Sequence, residues 1–94
     1  MDGGIGLEQS LMVRSIEEID IRKEVEAFPG NIFSARKIRR RIIYKYGLSL
    51  DQHQEHSLGR RVGDILSRMN DEGRLSVYLR SDSRHPIRYI RKRR

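Results

Sequence analysis

Apolar residues recur at helical spacing over three stretches of this 94-residue chain and at strand spacing over its last quarter. Ser15 followed by Glu18 has capping-box spacing, and a helix from about there runs to Ala27, where Phe28-Pro29-Gly30 ends it. Its apolar residues form two stripes. Ile21, Val25 and Phe28 share one face, while Met12, Ile16 and Ile19 recur on another. Two readings fit: the helix proper starts near Asp20, or it starts near Ser10 and turns its second face to something else. That something is a second copy of the chain across a homodimer seam, or the chain's own hairpin or tail.

Asn31-Ile32-Phe33 reads as a short extended piece, and Ser34 is placed to cap the next helix. This helix runs to about Tyr46, with Ala35, Ile38, Ile42 and Tyr46 facing inward, and Gly47 closes it in the left-handed conformation. Leu48 to His56 is polar apart from Leu48 and Leu50 and reads as a connection between helices. The third helix is expected over residues 57–72. Leu58, Val62, Ile65, Leu66 and Met69 make its buried stripe, and Gly73 stops it. The period then shortens to two, with Leu75, Val77 and Leu79 alternating against Ser76, Tyr78 and Arg80. Residues 81–86 are turn material, and Ile87-Arg88-Tyr89-Ile90 is the returning strand of a hairpin. The pattern predicts a flexible tail over 1–9, one mostly α, α+β domain over 10–91, and a basic tail over 92–94.

Charge changes this picture more than composition does. The chain has 20 Lys plus Arg against 13 Asp plus Glu, a net charge of +7, and 16 of the bases are Arg. Residues 1–33 carry a net −4, and the residues from Ser34 onward carry +11. A surface so biased attracts polyanions, and the planar guanidinium suits phosphate oxygens and guanine edges. The longest apolar runs are three residues, such as Leu11-Met12-Val13, far short of the ~20 needed to cross a bilayer. No secretory signal is visible, and with no Cys there are neither disulfides nor thiolate zinc sites. An intracellular protein (cytoplasm, nucleoid or nucleus), without a membrane partner or an evident small-molecule ligand, is expected.

Helix, short extended piece, helix, helix and a final hairpin with a basic turn is an order that resembles the winged helix-turn-helix family across roughly Ser15 to Arg91. The stretch Ser57-Leu58-Gly59-Arg60-Arg61-Val62-Gly63-Asp64-Ile65-Leu66-Ser67-Arg68-Met69, with Gly73 beyond it, resembles a recognition helix and its stop. The resemblance implies a winged helix-turn-helix fold of three helices and a C-terminal hairpin wing. It implies that the third helix enters a major groove and that the wing, over 80–88, meets a minor groove or the backbone. On that reading Arg60, Arg61, Asp64, Ser67 and Arg68 belong to the reading helix, with Ser57 at its head. Arg84 and His85 form the wing tip, flanked by Arg80 and Arg88. Arg36, Lys37, Arg39, Arg40 and Arg41 on the supporting helix are expected to clamp phosphates rather than read bases. Arg60 and Arg61 are expected in the first turn of the third helix, the end that commonly enters a groove. Asp64 has two uses, accepting from cytosine or holding Arg60 or Arg68 in place. Gly59 and Gly63 each cost about 1 kcal/mol in a helix, so each requires a reason: backbone approach by DNA, or close packing on the second helix.

Other chemistry finds little foothold. His53-Gln54-Glu55-His56 after Asp51 has the composition of a metal site without a recognised ligand spacing. The acids of the first helix lack a nucleophile or base partner and read as a negative solvated face. Gly3-Gly4-Ile5-Gly6 follows no strand, so it is no phosphate loop. No enzyme, metal or cofactor is expected. The leading expectation is a double-stranded DNA-binding protein, either a transcription regulator or a chromatin or architectural factor. The alternative is a winged-helix protein-interaction module of a replication or transcription assembly, suggested by the acidic first helix and its second apolar stripe. RNA binding ranks below both, with Tyr78 as the one candidate stacking platform.

Overall fold

The structure, a computed structural model, describes residues 16–80 and 87–92. The expected tail over 1–9, the capping residue Ser15, Met12, and the turn with Arg84 and His85 lie outside the described residues. The elements are α1 (Glu18–Ala27), β1 (Ile32–Phe33), α2 (Ala35–Lys45), α3 (Gln52–Asp71), β2 (Leu75–Leu79) and β3 (Arg88–Arg91). The described residues form a small, mostly helical α+β domain with three helices and one three-stranded antiparallel sheet of order β1-β3-β2.

Helix α1 starts at Glu18, between the two expected starts, and its capping pair is Glu17 with Asp20 rather than Ser15 with Glu18. The Glu17 N–H donates to Asp20 Oδ2 at 2.9 Å. Ile16 therefore precedes the helix, and it folds into the chain's own core beside Ile21 and Val25. Ile19 alone of the described residues of that second stripe stays exposed, at 53%. Ser34 caps α2 as expected, accepting from the Lys37 N–H at 3.4 Å, and Gly47 takes φ +61° just beyond the helix.

The largest departure concerns α3. It begins at Gln52, five residues before the expected Ser57, because Asp51 and Gln54 form a capping box. The Gln54 N–H donates to Asp51 Oδ1 at 2.8 Å, and the Asp51 N–H donates to Gln54 Oε1 at 3.0 Å. Residues 52–56, expected as connection, are thus the first turn and a half of helix. Their polarity marks a solvated helix face, which periodicity of apolar residues alone does not detect.

Three helices and one face of the sheet enclose a core that includes Phe33, Ile38, Ile42, Leu58, Leu66 and Leu75. Phe28 packs on Phe33 with ring centroids 5.7 Å apart, a tilted arrangement favoured by aromatic quadrupoles. Burial of these side chains is the main stabilising term, at roughly 1.5–3 kcal/mol for each large apolar residue. Strand β1 closes the sheet on the side of β3, with Ile32 opposite Ile90 and Phe33 opposite Tyr89. In the hairpin Leu75 pairs with Arg91 and Val77 with Tyr89, but Leu79 pairs with Arg88, so Tyr78 is the extra residue of a bulge. The bulge breaks the alternation expected for β2. Leu75 is buried, Val77 half-buried, and Leu79 exposed.

Candidate nucleic-acid interface

Ion pairing divides the bases of this chain into two sets. The first set is held by acids. Arg22 Nη1 and Nη2 donate to Glu72 Oε1 and Oε2 at 2.7 and 2.8 Å, and Arg22 Nε donates to Glu18 Oε2 at 2.8 Å. Arg68 reaches the other oxygen of Glu18 at 2.5 Å, and Arg74 lies 3.5 Å from Glu72. The carboxyl of Glu72 is held below the ordinary carboxylate value, chiefly by its hydrogen bonds from Arg22. This network ties α1 to the C-terminal half of α3.

Glu24 corrects the expectation that the acids of α1 form a solvated face. Its side chain is 2% exposed. Arg41 Nε donates to its Oε1 at 2.9 Å, and Lys45 Nζ donates to its Oε2 at 2.5 Å. Burial by itself pushes the Glu24 carboxyl upward. The two hydrogen bonds from Lys45 and Arg41 outweigh it and leave the group below its ordinary value. Glu24 thereby joins α1 to α2 and withdraws Arg41 from the expected set of phosphate clamps. The signal was present in the sequence, since Glu24 falls three residues after Ile21 and one before Val25, on the face that packs.

Arg61 is likewise engaged, donating through Nη2 to the backbone carbonyl of Ile16. Asp64 faces a hollow with Glu18, Arg61 and Arg68, and Arg68 pairs with Glu18 rather than with Asp64. Arg91 donates to the carbonyls of Val25 and Gly30 at 2.9 and 3.0 Å and stacks over the Phe33 ring, 5.7 Å from its centroid. It is a structural arginine that locks the end of β3 under α1.

The second set has no acid partner among the described residues. Lys23 on α1 and Lys92 beyond β3 belong to it. So do six bases of the other elements: Arg36, Lys37 and Arg40 stand exposed on the N-terminal half of α2, Arg60 stands exposed on α3, and Arg80 and Arg88 leave the two strands of the hairpin. Strand register brings these together. Phe33 pairs with Tyr89, and the chain runs straight from Phe33 through Ser34 into α2. The head of α2 therefore lies at the end of the sheet where Arg88 and Leu79 pair. Arg39, on the same half of α2, lies against Gly59 of α3, one residue before Arg60. Arg60 and Arg61 are not in the first turn of α3 as expected. They occupy its third turn, because the helix starts earlier.

The exposed face of α3 on this side presents His53, His56, Ser57, Arg60, Asp64 and Ser67. His53 and His56 are an addition that sequence reasoning assigned to a loop. Among the described residues no three His, Cys, Asp or Glu side chains cluster in a way that could hold a metal. Two aromatic side chains stand out from the surface, Tyr78 as expected and also Tyr44, at 90% exposure. Tyr44 forms a shallow hollow with Arg40, Ile43, Leu48 and Glu55.

The two helical glycines separate. A methyl built on Gly59 meets the Arg39 side chain, so that glycine serves packing on the second helix, whereas Gly63 faces open space. Among the described residues no helix is long and apolar enough to cross a membrane. Compared with known protein families, with curated proteins and with solved structures, this chain finds no match.

Proposed function

We propose that this protein is a winged helix-turn-helix domain that binds double-stranded DNA, as a transcription regulator or an architectural factor. One observation carries the reading. Among the described residues the exposed bases at the head of α2, on the middle of α3 and at the hairpin have no acid partner, whereas Arg22, Arg41, Lys45, Arg68 and Arg74 are paired with Glu18, Glu24 or Glu72 and, of the α1 bases, Lys23 alone is left unpaired. An even scatter of cations serves solubility. Segregation of this kind serves a polyanion. The order of elements and the β1-β3-β2 sheet also support a winged helix.

The mechanism has two parts. Arg36, Lys37, Arg39 and Arg40 take phosphates and fix the register of the protein on the duplex. The solvated face of α3 enters the major groove with Arg60 as the base-reading fork, Ser57 and Ser67 as adaptable hydroxyls, and His53 and His56 ahead of it. Arg80 and Arg88 support the wing, with Arg84 and His85 proposed at its tip against the minor groove. Arg61 and Arg68 are placed second as contacts, since each first has to give up an internal partner.

A salt titration tests this. With about six phosphates neutralised, log affinity falls against log salt with a slope near −5. A slope shallower than about −2 refutes the proposal. The competing reading, a protein-docking module, has one observation in its favour: a groove of about 490 Å³ between α1 and the end of α3, with Ile19, Ala27 and Met69 flanked by Lys23 and Arg74. A partner retained through nuclease treatment and high salt decides for that reading.

A further inference from the structure

Resting on the DNA-binding reading, we infer that Gly59 is a positioning residue that seats Arg39 across α3 as a pre-set phosphate clamp. Arg39 belongs to α2, yet its side chain is laid against the backbone of α3. A β-carbon added at Gly59 sits 3.1 Å from Arg39 Nη1 and 3.3 Å from its Cδ, too close for either to stay where it is. The Arg39 Nε is buried and has no hydrogen-bond partner among the described residues, while the residue as a whole remains partly exposed. A guanidinium normally satisfies its donors, so an orphaned Nε marks a side chain held by shape rather than by a hydrogen bond.

The two glycines of α3 make the comparison internal. Both weaken the helix, but among the described residues Gly59 has a neighbour that a β-carbon would press on, while nothing lies within 4 Å of a methyl at Gly63. A free arginine has many rotamers to lose when it binds a phosphate. One already confined against α3, at the junction with the helix that carries Arg60, has fewer to lose. The remaining guanidinium nitrogens are the donors left for a phosphodiester oxygen.

The test compares Gly59→Ala, Gly63→Ala, Arg39→Ala and the Gly59→Ala/Arg39→Ala double variant for binding a short duplex across a salt series. Gly59→Ala keeps the charge and makes the flexible Arg39 side chain give by a few tenths of an ångström from Cδ outward, so its Tm does not fall. Its affinity drops by about two- to tenfold with the salt slope unchanged. Arg39→Ala flattens the slope by about 0.9. In the Arg39→Ala background the Gly59→Ala effect disappears. Gly63→Ala raises the Tm by roughly 4–8 °C and shows no coupling to Arg39. An equal loss in both backgrounds, or no loss at all, overturns the seat.

A second readout needs no DNA. The Arg39 Nε–H signal of 15N-labelled protein, assigned by its disappearance in Arg39→Lys, exchanges slowly with water in the wild type and fast in Gly59→Ala. Slow exchange that persists in Gly59→Ala also overturns the inference. If the wild type fails to bind duplex, the DNA reading falls, and the exchange measurement still decides whether Gly59 seats Arg39.

Discussion

Replacing Glu24 by Gln probes the interaction on which the separation of paired and unpaired bases depends most. The carboxylate is buried and accepts from Arg41 at 2.9 Å and from Lys45 at 2.5 Å, while the Arg41 and Lys45 side chains are 35% and 56% exposed. Gln preserves the shape and one acceptor, and the two cations remain wet enough to be rehydrated. The full 3–5 kcal/mol lost on breaking a buried pair therefore does not apply. Exchanging a charge-assisted bond for a weaker one, at the low end of the range for charged groups, gives a loss of about 1–2 kcal/mol. In a domain of this size that lowers Tm by roughly 4–16 °C.

The pH dependence carries the sharper test. Since the folded carboxyl lies below its ordinary value of 4.5, the unfolded chain binds more protons through the intervening window, and stability rises with pH there. The contribution is complete above the unfolded value and is lost as pH falls through the folded one. Urea unfolding followed by circular dichroism at pH 7, 5, 4 and 3 is expected to show the gap between wild type and Glu24→Gln narrowing below about pH 4.5. A gap absent at pH 7, or constant down to the most acidic point, refutes the assignment. Duplex affinity at pH 7 and low temperature is expected not to fall, because the change removes a negative charge, releases Arg41 and Lys45, and leaves Arg36, Lys37 and Arg60 in place.

Three further outcomes follow from particular contacts. Asp51→Ala removes the cap of α3 and costs about 1 kcal/mol, whereas Ser57→Ala leaves thermal stability within about 0.5 kcal/mol; the reverse order in thermal melts places the helix start at Ser57 after all. Arg60→Ala relaxes base preference, while Arg40→Ala weakens specific and random duplexes alike, so equal losses on both duplexes for Arg60→Ala remove it from base reading. Arg91→Ala loses two bonds to carbonyls and the stack on Phe33, and a drop of about 2–3 kcal/mol in urea unfolding is expected, with a change under about 0.5 kcal/mol counting against its structural role.

Much of the candidate surface was legible in one dimension. Periodicity placed the inward faces of α2 and α3, Ser34 and Gly47 bounded α2, and the change from helical to alternating spacing marked the hairpin. Those features depend on near neighbours, so local sequence carries them. The start of α3 was missed because His53, His56 and Ser57 form a solvated face with no apolar stripe, and only the Asp51–Gln54 capping box reveals that the backbone is already helical. Leu79 was misplaced because a bulge shifts the phase of a strand without any change in its alternating pattern.

The sequence by itself determined that this chain is strongly basic after its first third and that its described part carries three amphipathic helices and two paired strands. Only the tertiary structure decided which cations are available. Arg41, Arg61 and Arg68 are indistinguishable from Arg36, Arg40 and Arg60 as letters. They differ because Glu24, the Ile16 carbonyl and Glu18 reach them from elements 17, 45 and 50 residues away along the chain. Charge is a property of a residue, whereas neutralisation depends on distance, and distance between remote segments exists only after the chain has folded.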